Sequence, residues 1–224
     1  MQPYLLPYVG YWQLMASVDH FILYDTAQYS SGGWVNRNRL LLNGEPRWFT
    51  IPVERRGVTA SIRERRLTAD YSQRRDRVLA QFSVAYRRAL FRDHGLTLLE
   101  ESLGFDDGSL LSLLAHSLRS TARHLGISTP LSLASDLEIP GGLSREERVI
   151  ALARAVGGTD YYSLSGGSTL YSAEHFAAKG LRLRFRQPRD DESGVHPWAL
   201  SIMHAIMTTN PDEVRERVLS SQWS

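Results

Sequence analysis

Cysteine is absent from the 224 residues. That excludes disulfides, thiolate nucleophiles and cysteine-ligated zinc together. Lysine is almost absent as well: Lys179 is the single one, and every other basic residue is an arginine. No apolar run approaches the roughly 18 residues of a membrane span, and no charged-then-apolar leader opens the chain. A soluble, cytoplasmic protein is therefore expected. HExxH, HxH, GxSxG, a Walker sequence, GxGxxG and a paired-carboxylate motif are all missing. The seven histidines are scattered. His116 and His124 share a predicted helix face but sit eight residues apart, too far for joint chelation, so no metal is expected. His196 and His204 fall in a stretch that reads as a packed helix with one polar end.

What is present suffices for a core without staples: 42% of residues are hydrophobic and 10% aromatic. The expectation is a single domain over residues 1–224. The net charge of +2 hides an uneven distribution. Residues 37–92 carry 14 arginines against five acids, a local excess of +9. A G- and C-rich genome accounts for arginine in place of lysine but not for this clustering. Arginine forks suit phosphate and carboxylate.

Pro3 and Pro7, with aromatics between them, predict a stiff extended loop. Residues 10–17 read as a short helix and 20–24 as a buried strand ending at Asp25. Asn43-Gly44, between 39–42 and 48–53, predicts a β-hairpin. Residues 73–92 place Val78, Leu79, Phe82, Tyr86, Ala89 and Leu90 on one helix face. Ser109 caps a further helix, and Ser144 with Glu147 forms a capping box for one ending at Gly157-Gly158. Strands at 130–133, 160–163 and 181–185 alternate with helices, the last opening at Asn210-Pro211. This alternation predicts an α/β fold: a Rossmann-like parallel sheet with flanking helices, carrying a β-hairpin plus helical insertion at about 37–92. The dense motif at residue two also suggests that a short strand once preceded it.

Three clusters are candidates for chemistry. Gln2, Tyr4, Pro7 and Tyr11 lie in a strand-to-helix loop, where α/β ligand sites form, with Gly10 admitting a phosphate to backbone amides; the same residues also read as an aromatic-proline clamp on the sheet edge. Asp25, at a strand end, is a candidate general base. Downstream of it lie Gln28, Tyr29, Trp34, Asn36, Arg37, Asn38 and Arg39. Alternation along an extended chain puts Asn36 and Asn38 on one face and Arg37 and Arg39 on the other, making either an anion clamp or a solvated edge strand. Finally, Gly166-Gly167, within Leu164–Ser168, reads as a phosphate cradle or a plain turn.

Gln-Pro-Tyr-Leu-Leu-Pro-Tyr-Val-Gly-Tyr at 2–11, Val-Asp-His-Phe-Ile-Leu-Tyr-Asp at 18–25 and Gly-Trp-Val-Asn-Arg-Asn-Arg at 33–39 resemble the WbqC-like family. Later landmarks are the 48–53 strand, Gly166-Gly167 with Leu170-Tyr171-Ser172, and Pro197 with Leu200-Ser201-Ile202. One departure is Met203-His204, where the family usually carries an acid. The resemblance implies a small-group transferase of O-antigen, other surface-polysaccharide or specialised-metabolite (natural product) biosynthesis. It would attach a glycyl-like aminoacyl group to an amine, as on an amino-sugar nucleotide.

In that reading Asp25, Asn36 and Arg37 carry the chemistry: Asp25 takes the amine proton and Arg37 and Arg39 hold a phosphate or carboxylate. Tyr4, Tyr11 and Trp34 stack a ring, beside Gln2, Pro7, Gln28, Tyr29, Asn38, Gly166 and Gly167. ATP, aminoacyl-tRNA or a carrier thioester is the co-substrate that activates the acyl group. The 7–11 loop is placed like the nucleotide loop of adenylylating Rossmann-like enzymes but lacks their paired histidines. Two alternatives stand beside it: an aminoacyl-tRNA-dependent transferase that uses the basic stretch to hold tRNA, and a non-catalytic binding protein of a biosynthetic cluster.

Overall fold

The computed structural model describes residues 1–167, 169–187, 196–220 and 223. Eight α-helices and six strands are formed among them. Helix α1 (Val9–Ala16) leads into β1 (Phe21–Leu23), and β2 (Arg37–Leu42) turns back as β3 (Glu45–Thr50). Asn43 and Gly44 both adopt positive φ, 53° and 80°, the requirement of a two-residue type I′ turn. The predicted hairpin therefore forms, but β3 begins directly after the turn, with Leu42 opposite Glu45.

The basic stretch continues into α2 (Tyr71–Ala85), then α3 (Arg92–Leu103) and α4 (Leu110–His124). The single helix expected over 73–92 is thus broken. Val78, Phe82 and Tyr86 are buried as predicted, while Leu90 is 88% exposed. The break follows from Tyr86, whose hydroxyl is engaged by Leu41 N–H at 3.1 Å and by His204 Nδ1 at 3.0 Å. The chain turns at that anchor instead of continuing its helical period.

Strand β4 (Leu131–Leu133) pairs in parallel with β1, Ile22 lying opposite Ser132. Helix α5 (Arg145–Ala155) carries the predicted capping box: Ser144 Oγ accepts from Glu147 N–H and the Glu147 carboxylate accepts from Ser144 N–H. Then β5 (Asp160–Leu164), α6 (Ala173–Ala178) and β6 (Arg182–Arg186) form a βαβ unit with β5 and β6 parallel. Helices α7 (Ile202–Thr208) and α8 (Pro211–Leu219) close the chain. The side chain of Asn210 caps α8, with Pro211 at its first position.

The fold is mixed α/β, but the extended Rossmann sheet expected from the sequence is not formed among the described residues. Their sheets are three two-stranded pieces, two parallel and one antiparallel. The parallel strands, three to five residues long, offer few ladder bonds, and β5 packs on α1 rather than pairing with β1. The main core gathers Trp12, Phe21, Leu40, Phe49, Phe82 and Leu114 among many others. A second cluster joins α5 and the βαβ unit through Val149, Ile150, Ala153, Phe176 and Leu181.

Candidate functional site

The N-terminal loop and the Asn-Arg-Asn-Arg segment meet. Leu5 N–H donates to Val35 O at 3.0 Å, and the Asn38 side-chain amide donates to the carbonyls of Leu5 (3.0 Å) and Leu6 (2.7 Å). Leu6 is buried with φ 45°, a left-handed conformation that costs a residue with a side chain about 1 kcal/mol or more. The Pro7 carbonyl accepts from Trp12 Nε1 at 2.9 Å and from Ile202 N–H at 3.0 Å. Asn36 is spent similarly: its amide donates to Ile51 O at 2.6 Å and its Oδ1 accepts the Tyr29 hydroxyl at 2.8 Å.

Tyr11 is wholly buried and donates its hydroxyl to Gln2 O. Burial, reinforced by each tyrosine's nearness to another, pushes the Tyr4 and Tyr11 hydroxyls well above the ordinary phenol range. Pro7, Tyr11, Asn36 and Asn38 therefore build a frame, where the sequence suggested ligand contacts.

Asp25 stands just past the end of β1, as the sequence predicts. It is 0% exposed; its Oδ1 accepts from Ser135 N–H at 3.0 Å, and its backbone carbonyl accepts from Arg63 N–H at 3.1 Å. Its Oδ2 is buried with no hydrogen-bond partner among the described residues. The carboxylate ties the end of β1 to the loop after β4 and lies off the main cleft.

That cleft has a volume of about 1370 Å³ and runs between the main core and the smaller cluster. One part of its lining is the outward face of the β1 segment, His20, Ile22 and Tyr24, continued by Gln2, Gln28, Tyr29 and Trp34. The other comes from the α5 and βαβ region: Arg145, Tyr161, Tyr162, Tyr171, Arg182 and Arg184, with Gly166 and Gly167 in the 3₁₀ turn after β5. Ser168 lies outside the described residues. Asp160 is bonded by Arg182 at 2.8 Å and Arg184 at 3.1 Å. The Arg182 hydrogen bond, chiefly, holds its carboxyl down at about 2, so this end of the cleft keeps a fixed charge pattern.

Gln2, Gln28, Tyr29, Trp34, Gly166 and Gly167 are thus brought to one cavity. Tyr4, Pro7, Tyr11, Asp25, Asn36, Arg37, Asn38 and Arg39 are not. His20, Tyr24, Arg145, Arg182 and Arg184 were missed. In the structure half-buried His20, Ile22 and Tyr24 alternate with buried Phe21, Leu23 and Asp25; the signal the sequence carried was the polar-tipped His20 and Tyr24 at even positions of an otherwise apolar run.

Arg37 and Arg39 instead form a platform beside the cleft with Trp34 and Trp48. The two indoles, 45% and 44% exposed, lie 4.9 Å apart between centroids. Arg37 stacks over Trp48 at 4.2 Å, and Arg39 over Trp34 at 5.2 Å. Arg37 also donates to the carbonyls of Gly32 and Gly33. The alternation read from the sequence is the one observed, amides inward and guanidiniums outward.

His204 is buried against Tyr86. Burial lowers its pKa to about 4. The neutral ring is hydrogen-bonded to the Tyr86 hydroxyl, whose oxygen accepts Leu41 N–H, joining α7, α2 and the hairpin.

Among the described residues no group of three or more His, Asp or Glu side chains is disposed to hold a metal ion, and no helix is long and apolar enough to cross a membrane. No solved structure gives a significant match to the chain. A curated relative, the uncharacterized protein Rv1507c of Mycobacterium tuberculosis (strain ATCC 25618 / H37Rv), is 33% identical over 167 residues, covering 73% of this chain and 70% of that protein. The model of the WbqC-like protein family matches residues 2–216. On that extent of match, the chain belongs to the WbqC-like protein family.

Proposed function

We propose that this protein is a cytoplasmic transferase that joins an aminoacyl group, glycyl in the simplest case, to the amine of a phosphate-bearing small molecule such as an amino-sugar nucleotide. Such a step belongs to surface-polysaccharide or specialised-metabolite assembly. The cleft carries the reading. Its 1370 Å³ exceeds the roughly 300–1,000 Å³ of a single-ligand pocket, so two reactants fit side by side. Tyrosines and Trp34 supply stacking faces, and Arg145 and Arg184 supply donors for phosphate. The Gly166-Gly167 turn follows the C-terminal end of a strand in a βαβ unit, where a Rossmann-like arrangement puts its ligand. The test is incubation with ATP, glycine and a set of amino-sugar nucleotides, followed by mass spectrometry for the amide. Product in wild type, reduced in Arg145→Ala and Arg184→Ala, supports the reading. Tight binding of the sugar nucleotide without product under any donor supports a binding protein instead.

A second reading concerns the donor. The Trp34–Trp48–Arg37–Arg39 platform adjoins the cleft through Trp34 and begins the +9 stretch. Stacking indoles with stacked guanidiniums are the elements that hold single-stranded RNA. This favours an aminoacyl-tRNA whose acceptor end crosses the platform into the cleft. Binding of charged tRNA that weakens steeply with salt supports it; salt-independent or absent binding removes it.

A further inference from the structure

The sequence offered no thiol for covalent chemistry, but His20, which lines the cleft, is paired with the hydroxyl of Ser132 on the neighbouring strand. His20 Nε2 and Ser132 Oγ are 2.8 Å apart. Their geometry is fixed by the backbone. Ser132 lies opposite Ile22 in the parallel β1–β4 ladder, and paired residues of parallel strands share a sheet face. His20, Ile22 and Tyr24 line the cleft on that face. The start of β1 is tied down by Phe21 N–H donating to Pro130 O at 2.9 Å, and the start of β4 by the Thr129 hydroxyl donating to Met15 O at 2.8 Å. Both partners sit on extended segments pinned at their ends, as a preorganised pair requires.

We infer that Ser132 is an acyl-accepting nucleophile and His20 its general base, so that the transfer proceeds through an ester on Ser132. The inference rests on the transferase reading and names its intermediate. With the ring proton on Nδ1, His20 Nε2 accepts the Ser132 proton as Oγ attacks the carbonyl carbon of an acyl donor activated as a mixed anhydride with phosphate. The Oγ–C bond forms, the C–O bond to phosphate breaks, and the phosphate leaves with the electron pair and takes the proton from His20, which returns to its neutral form. In the second half the acceptor amine attacks the ester carbonyl. The N–C bond forms, the C–Oγ bond breaks, and His20 carries the amine proton to Oγ. The amide is released and the serine restored.

The experiment uses the full chain with a biotinylated fluorophosphonate, read by intact mass and peptide mapping. One adduct on Ser132 is expected in wild type, none at that peptide in Ser132→Ala, and labelling slowed about 100-fold in His20→Gln. No adduct in wild type, or equal labelling with His20→Gln, overturns the pair. Ser132→Cys gives a second reading, because it introduces the sole thiol of the chain. Its alkylation by iodoacetamide should be at least about 10-fold faster than in the Ser132→Cys/His20→Gln double variant, since a neighbouring imidazole promotes the thiolate. Equal rates contradict the assignment. The two readings fail separately. Amide formation at full rate in Ser132→Ala removes the ester and leaves the transferase, whereas a Ser132 adduct without amide from any donor and acceptor removes the transferase and leaves the nucleophile.

Discussion

The side-chain amide of Asn38 holds Leu6 in a left-handed conformation, donating to its carbonyl at 2.7 Å and to that of Leu5 at 3.0 Å. Asn38 Oδ1 in turn accepts from Arg39 N–H at 2.8 Å. One buried side chain therefore joins the N-terminal loop to the hairpin strand and fixes the wall in which Gln2 meets the cleft. Asn38→Ala leaves two buried carbonyls unpaired. It should destabilise the fold by about 2–4 kcal/mol, seen as a lower urea midpoint at unchanged m-value. A midpoint equal to that of wild type would show that the loop holds itself.

His204 makes stability depend on pH. Its pKa is about 4 in the fold against an ordinary 6.5, so below pH 6.5 the unfolded chain takes up a proton that the folded one refuses. The contribution is complete above about pH 7, falls as the pH drops and levels off near 4, amounting to about 3 kcal/mol. Other groups with lowered pKa also titrate in acid, among them Asp160 and the Met1 amine, the latter brought to about 5 by burial. The test is therefore the difference between wild type and His204→Gln. Urea midpoints from pH 7 to 4 should fall more steeply in wild type, and parallel profiles would count against a neutral buried His204.

Tyr86→Phe removes the partner of both Leu41 N–H and His204 Nδ1. A loss of about 1–3 kcal/mol is expected. Combined with His204→Gln the losses should not add, because the two side chains share one hydrogen bond. A double-mutant cycle by chemical denaturation measures the coupling, and strict additivity would contradict it.

How far the sequence announces this structure depends on whether a signal is local. Asn43-Gly44 needs only its own backbone angles, and Ser144 with Glu147 needs one helical turn, so both were legible. The Asn-Arg alternation was legible because strand geometry alone separates its faces. Leu90 misled because the periodicity of 73–92 does not reveal that Tyr86 is anchored to His204, 118 residues away. Asp25 stands at the strand end as read, but its full burial, with Oδ1 accepting from Ser135 N–H 110 residues away, was not legible. The cleft was half hidden, since Arg182 and Arg184 come to it only through the packing of β5 and β6.

The Trp platform offers a surface test. Trp48 is half exposed, so Trp48→Ala should cost little stability, within about 1 kcal/mol. It should weaken binding of charged tRNA about 10-fold, since base–indole stacking contributes roughly 1–3 kcal/mol per base. Fluorescence titration at two salt concentrations measures both effects. Unchanged affinity would detach the platform from RNA.

The most direct test of the cleft as substrate site is calorimetric titration of a nucleoside-diphosphate amino sugar into wild type, Arg145→Ala and Arg184→Ala. Charge-assisted hydrogen bonds contribute about 1.5–3 kcal/mol, so each variant should bind about 10-fold or more weakly than wild type while keeping its thermal stability. Equal affinity across all three proteins, or no binding by wild type, would contradict the account.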